Sequence, residues 1–269
     1  GGDLASGIAL RLYRCGLSIA ITEIHQPLTI RRSVAFAEAM FEGETTVEGI
    51  TSHKVSDPTN LLSILSIFSK QQIPVIEDPE CVSAQVLHPL VIVDARMLKS
   101  SPSPIGYSPA LYIGIGPGFE AGINCQVVVE SQRGHTMGRS IYQGGAIKDT
   151  GTPSDDPKRV IHAPCEGIFI GCQNIGSIVK SGEVVAEIEM EREEKYGNNR
   201  YPISAPISGL LRGILHTGIH VSQGMKIGDI DPRYIIDTCR LVSDKSLAIG
   251  GAVLEAILSK PEVRNRLWL

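Results

Sequence analysis

The sequence predicts an α/β protein: a mostly parallel sheet with helices, then an all-β unit, then a closing helix. Three observations carry this. Helical and strand patterns alternate through about residue 100, as expected of strands joined by crossover helices. Residues 161–188 overlay residues 203–230 when shifted by 42 positions without a gap, and nine positions are then identical. Between the two regions lies GTPSDDP (151–157), small, polar and bounded by prolines, which reads as a linker. The expected division is 1–155, 156–232 and 233–269.

The length of 269 residues exceeds that of a typical single domain. Apolar content of 42% and charged content of 20% describe an ordinary globular chain. A net charge of −4 provides no electrostatic footprint for nucleic acid. No apolar run reaches the ~20 residues that span a bilayer, so no membrane partner is expected. Six scattered cysteines without a CxxC read as reduced thiols, which implies the cytoplasm and argues against a structural zinc site. No metal-ligand set is read from the sequence.

In chain order, Leu4, Ile8 and Leu12 recur at helical spacing, giving a helix to about Arg14 that stops at Gly16. Residues 17–22 read as a buried strand ending in Glu23. Gly1, Gly2 and Asp3 open the helix. A glycine turn, a helix and a strand ending in an acid are parts of a dinucleotide-binding, Rossmann-like βαβ unit, with its first strand expected before Gly1. The alternative is a glycine turn that only packs a helix on a sheet. Residues 27–40 suggest a loop and helix carrying Arg31 and Arg32, and 45–55 one or two strands. Asp57-Pro58 opens another helix whose Leu61, Leu62, Leu65 and Phe68 form an apolar stripe expected to be core. Residues 73–76 and 90–93 are short strands, the second ending in the charged pair Asp94 and Arg96. Ligands of open α/β sheets bind at that edge.

The stretch 112–139, YIGIGPGFEAGINCQVVVESQRGHTMGR, runs a strand into Gly116-Pro117-Gly118 and a second strand, 127–129. Cys125, Arg133, His135 and Arg139 fall around the latter. Glycines let backbone N–H groups approach a ligand, and arginines supply planar forks for phosphate or carboxylate. One reading is a pocket in which Arg133, His135 and Arg139, with the loop glycines Gly116 and Gly118, hold an anionic ligand's phosphate beside a Cys125 thiolate able to ligate a soft atom. Cys125 and His135 are then the candidate catalytic residues. The other is a hairpin with a buried cysteine and solvated arginines.

In the repeat, most identities are Gly, Pro or β-branched, so turns and strand faces are kept. The pattern APxxG followed by VxxGxxV/I resembles the two halves of a biotinyl/lipoyl-type barrel-sandwich hybrid. Carriers of that type hold a modified lysine in the joining hairpin; here EMER lacks it and Lys195 comes later, so no biotin or lipoate is expected. After Asp231-Pro232, Ser243-Asp244 caps a last helix with Leu247, Val253, Leu254, Ile257 and Leu258 on its apolar face; Gly250-Gly251 would allow close packing on the first domain.

GGDLASGIA, EGI near residue 50, GPGF…C…RGHxxGR, a following GTP and DKSLAIGG together resemble the selenium-dependent molybdenum hydroxylase accessory family (YqeB type), over nearly the whole chain. Gln126 stands where the family pattern has histidine. The likeness extends distantly to XdhC-type maturation factors. It implies a maturation protein that binds molybdenum cofactor or a nucleotide as a small anionic ligand, with a molybdenum hydroxylase as partner and a homo-oligomer as one assembly. The alternatives are a nucleotide-dependent oxidoreductase using Gly1, Gly2 and Glu23 for NAD, and a docking module for a partner enzyme.

Overall fold

The computed structural model describes residues 1–98, 100–103, 105–148, 157–190 and 199–267. Most of the expected linker at 151–157, and Lys195, lie outside these residues. Among the described residues no helix is long and apolar enough to cross a membrane.

The chain opens with α1 (Asp3–Arg14), capped by Gly2 and ended at Gly16, whose φ is +83°. β1 is Ile21–Glu23, shorter than the expected 17–22 run. Residues 32–38 form only two 3-10 turns, followed by the one-turn α2 (Ala39–Glu42), so the helix expected within 27–40 is a corner. β2 (Glu44–Val47) and β3 (Ile50–Val55) make a hairpin; α3 (Leu61–Ser69), capped by the Asn60 side chain, leads to β4 (Ile73–Glu77). The sheet order is β1-β4-β3-β2, parallel except for the β2–β3 pair.

The short α4 (Ala84–Leu87) precedes a second sheet made of β5 (Val91–Asp94), β6 (Leu111–Ile115), β8 (Val127–Val129) and β9 (Ser140–Ile141), in that order. Its first three strands are parallel. A small pair, β7 (Glu120–Ala121) with β10 (Gly144–Gly145), accompanies it.

From residue 160 to 231 the described residues are strands and turns. β11 (Val160–His162), β12 (Gly167–Gly171), β13 (Ile178–Val179) and β14 (Val184–Glu189) form the first half. β15 (Arg200–Ser204), β16 (Gly209–Ile214), β17 (His220–Val221) and β18 (Lys226–Asp231) form the second. The sheets run β11-β18-β16-β13 and β15-β14-β12-β17, so each takes strands from both halves. The pairing is reciprocal at the 42-residue shift. Gly182 N donates to Ala205 O at 2.9 Å, and Gly224 N to Ala163 O at 2.8 Å. Gly176 N bonds Leu211 O and Gly218 N bonds Phe169 O, both at 2.8 Å. The glycines are kept for the same reason in each copy. A Cβ on Gly167 would lie 2.4 Å from Glu189 O, and one on Gly209 2.6 Å from Asp231 O. A core of Phe169, Val185, Ile188, Leu211, Ile227 and Ile230 fills the space between the halves.

α5 (Asp244–Leu258) and α6 (Pro261–Arg264) close the chain. α5 lies on α1 and on the second sheet, burying Ile249, Val253 and Ile257 against Ile113, Ile115 and Val129. A Cβ on Gly7 would fall 2.3 Å from Ser246 Cβ, and one on Gly250 3.0 Å from Arg11 Cβ, so glycine sets the helix separation. Gly251 has no such neighbour. The face of α1 carrying Ala9 and Leu10 packs on the first sheet, so this helix serves both sheets.

On α3 the expected stripe is rotated. Ile64 and Ile67 are buried against Val55 and Ile76, while Leu61, Leu62 and Leu65 face outward, Leu62 with 81% of its surface exposed.

Candidate functional site

The glycines that open α1 meet the acid that ends β1. Gly1 N lies 2.7 Å from Glu23 Oε1, and Ile24 N donates to Glu23 Oε2 at 2.8 Å. Gly1 O accepts from Ala37 N and from Ser6 Oγ, and Ser6 Oγ accepts from Phe36 N. A Cβ on Gly1 would sit 3.0 Å from both Ala37 N and Ile21 Cγ2, so packing alone demands glycine there. Asp3 is committed inside the protein: its carboxylate accepts from Arg31 Nη1 at 2.7 Å and Ser246 Oγ at 3.3 Å. Arg31 is buried and also donates to the carbonyls of Thr238 and Leu241, tying the first turn of α1 to the segment before α5. The structure thus brings Gly1, Gly2, Asp3 and Glu23 together at a helix N-terminus, where free N–H groups and the helix dipole favour an anion.

The second group of residues is not assembled as expected. Cys125 precedes β8 and Arg133 follows it, and β8 is extended at about 3.3 Å per residue, so the two lie at opposite ends of the strand. Cys125 is buried among Phe119, Ala121 and Val128, and burial pushes its thiol up, away from thiolate. Arg133 forks onto Asp244 at the start of α5, 3.1 and 3.0 Å. That hydrogen bond draws the Asp244 carboxyl down to about 2. His135 and Arg139 are exposed, joined only through Arg139 Nε to the His135 carbonyl at 3.3 Å. Gly116 (φ +77°) and Gly118 (φ +95°) are points of close approach rather than an open cradle. Added Cβ atoms would lie 2.5 Å from Ser131 Oγ and 2.6 Å from Ser100 O. The thiolate-and-arginine pocket is therefore corrected: the turn at 130–139 folds toward α5, and the cysteine stays behind.

Two features were less visible. The first is a cavity of about 640 Å³ walled by Tyr107, Tyr112, Cys125, Gln126, Tyr142 and Lys260. Lys260 Nζ stands 5.3 Å from the centre of the Tyr142 ring. The second is the charged pair after β5. Asp94 is buried and accepts from Arg96 Nη2 at 2.6 Å and Tyr112 Oη at 2.9 Å. Burial, reinforced by Asp94, raises the Tyr112 phenol well above its usual value. The sequence signalled Asp94 and Arg96 by their place at a strand end; nothing local marked Tyr112 as their partner.

Several histidines engage carboxylates rather than a nucleophile: His25 with Glu77, His53 with Glu44, His220 with Glu166. Fold and site together define an α/β protein with a two-fold β repeat and a helix N-terminus beside an acidic strand end.

No family model matches the chain. The uncharacterized protein YqeB of Escherichia coli (strain K12) is 41% identical to it over 261 residues, 96% of this chain and 46% of that protein. The two are homologous, and the chain spans about half the length of this curated relative. Among solved structures, an aspartoacylase family protein from Mesorhizobium loti aligns over 80% of this chain and 52% of its own at 10% identity, TM-score 0.25. A succinylglutamatedesuccinylase/aspartoacylase from Rhodobacter sphaeroides aligns over 30% and 27% at 16% identity, TM-score 0.26. Likenesses that low carry no argument about activity.

Proposed function

We propose that the chain is an accessory protein in the maturation of selenium-dependent molybdenum hydroxylases, binding a nucleotide-like or molybdopterin-like anionic ligand. In this reading the parallel-sheet part is Rossmann-like and residues 160–231 are a barrel-sandwich hybrid, supported by the reciprocal pairing of the two repeat halves. The observation that carries the ligand-binding part is the close approach of the α1 N-terminus, opened by Gly1 and capped by Gly2, to the end of β1, where Glu23 accepts from Ile24 N. A phosphate there would meet unpaired helix N–H groups, and Glu23 would accept from a hydroxyl. The motifs GGDLASGIA and RGHTMGR support the family assignment, and similarity to YqeB is consistent with it. Cys125 enters as a neutral thiol in a cavity wall, not as an activated nucleophile.

Calorimetric titration of the whole chain with pterin phosphates and nucleotides tests the reading. One ligand per chain is expected, and Glu23→Ala should weaken it about tenfold, ~1.4 kcal/mol. Native mass spectrometry with elemental analysis for Mo and Se, on protein from its own host, identifies the ligand. A folded sample that binds none of these reduces the glycines to a packing turn.

A further inference from the structure

Three side chains distant in sequence converge where the parallel-sheet part meets the β repeat. Glu38 ends a 3-10 turn, Glu42 ends α2, and His216 follows β16. One ligand atom from each lies within 4.8 Å of the others. His216 Nε2 is 3.5 Å from Glu42 Oε1.

Groups outside the trio determine what it presents. His216 Nδ1 is 2.8 Å from the Thr217 carbonyl oxygen. A carbonyl can only accept, so Nδ1 carries the hydrogen and, in the neutral ring, Nε2 turns its lone pair toward the two carboxylates. Metal-ligating histidines are held in this way, by a carbonyl on the other nitrogen. The ring is also fixed in plane by stacking on Phe41, with centroids 4.0 Å apart and 6° between planes. Arg32 Nη1 donates to Glu38 Oε1 at 2.5 Å and Arg32 Nε to the Ile214 carbonyl at 2.9 Å, which orients one carboxylate and leaves its second oxygen. With the ring neutral, an Nε2 acceptor faces two carboxylate acceptors, an arrangement that a cation satisfies and that the neutral ring cannot satisfy by a hydrogen bond to either carboxylate.

We propose that Glu38, Glu42 and His216 bind one borderline divalent cation of the zinc class, tying the parallel-sheet part to the β repeat. The imidazole selects against Mg²⁺ and Ca²⁺, which prefer all-oxygen sites, and three protein ligands leave a fourth position open to solvent.

The test uses the full chain, stripped with chelator, in a Cys15→Ser/Cys172→Ser background because exposed thiols also take zinc. Titration with ZnCl₂ by calorimetry should show one ion per chain and a rise in the thermal midpoint. Glu42→Gln and His216→Ala should each weaken binding by about tenfold or more and abolish the thermal shift. His220→Ala, outside the trio, should leave both unchanged. Three outcomes overturn the proposal: no stoichiometric zinc, zinc binding that survives both substitutions, or a thermal response to MgCl₂ alone. If the unsubstituted trio takes no ion yet His216→Ala lowers stability, the cluster is a protonated His–Glu pair and the proposal also fails.

Discussion

Gly171 and Gly213 occupy equivalent places in the two halves of the repeat, yet they should respond oppositely to one added methyl group. A Cβ on Gly213 would lie 2.9 Å from Ile30 O, 3.1 Å from Ile30 C and 3.2 Å from Arg31 Cγ. That contact is where the parallel-sheet part meets β16, through Ile214 N to Ile30 O at 2.8 Å and Arg32 Nε to Ile214 O at 2.9 Å. A Cβ on Gly171 meets nothing nearer than Thr217 Oγ1 at 3.5 Å. Overpacking costs about 1–3 kcal/mol, and a lost hydrogen bond about 1 kcal/mol more. Replacing an unstrained strand glycine by alanine gains about 0.5–1 kcal/mol. Gly213→Ala should therefore be less stable than Gly171→Ala by about 2.5–5 kcal/mol. Urea unfolding of both variants, followed by fluorescence and circular dichroism together, measures the difference. Equal midpoints, or Gly171→Ala as the weaker variant, would refute the reasoning that the two halves differ by what docks on them.

Two further outcomes follow from side-chain environment. Cys125 should be alkylated by iodoacetamide more slowly than the exposed Cys15 at neutral pH, and Arg133→Ala should not change its rate; peptide mapping that finds Cys125 modified first would sink this. Asp231 is fully buried and its hydrogen bonds from Arg233 bring it from the usual 3.8 to about 2. Because its folded value lies below the unfolded one, its contribution, at most about 2 kcal/mol, is present above about pH 4 and is lost as pH falls toward 2. Arg233→Ala should lose stability at neutral pH and flatten the acid limb of the urea midpoint against pH; an unchanged limb would count against the pairing.

The repeat was legible because its signals are local. A glycine at a tight turn, a β-branched residue facing the core and an alternation of period 2 are each imposed by the nearest strand, so two copies of one unit keep them at a constant shift. The meeting of the α1 N-terminus with the end of β1 was legible for a similar reason, since a helix and the next strand place these two ends on the same side. Three matters were decided only by the tertiary structure. On α3 six of nine residues are apolar, so periodicity could not say which side faces the sheet; β3 and β4 chose Ile64 and Ile67. Spacing could not say whether Cys125 and Arg133 meet, because an extended β8 holds apart what a tight turn would have joined. Glu38, Glu42 and His216 carry no shared local pattern at all. They meet because Gly213 lets the chain at Ile30 approach β16, and that approach depends on a surface built by both parts of the fold.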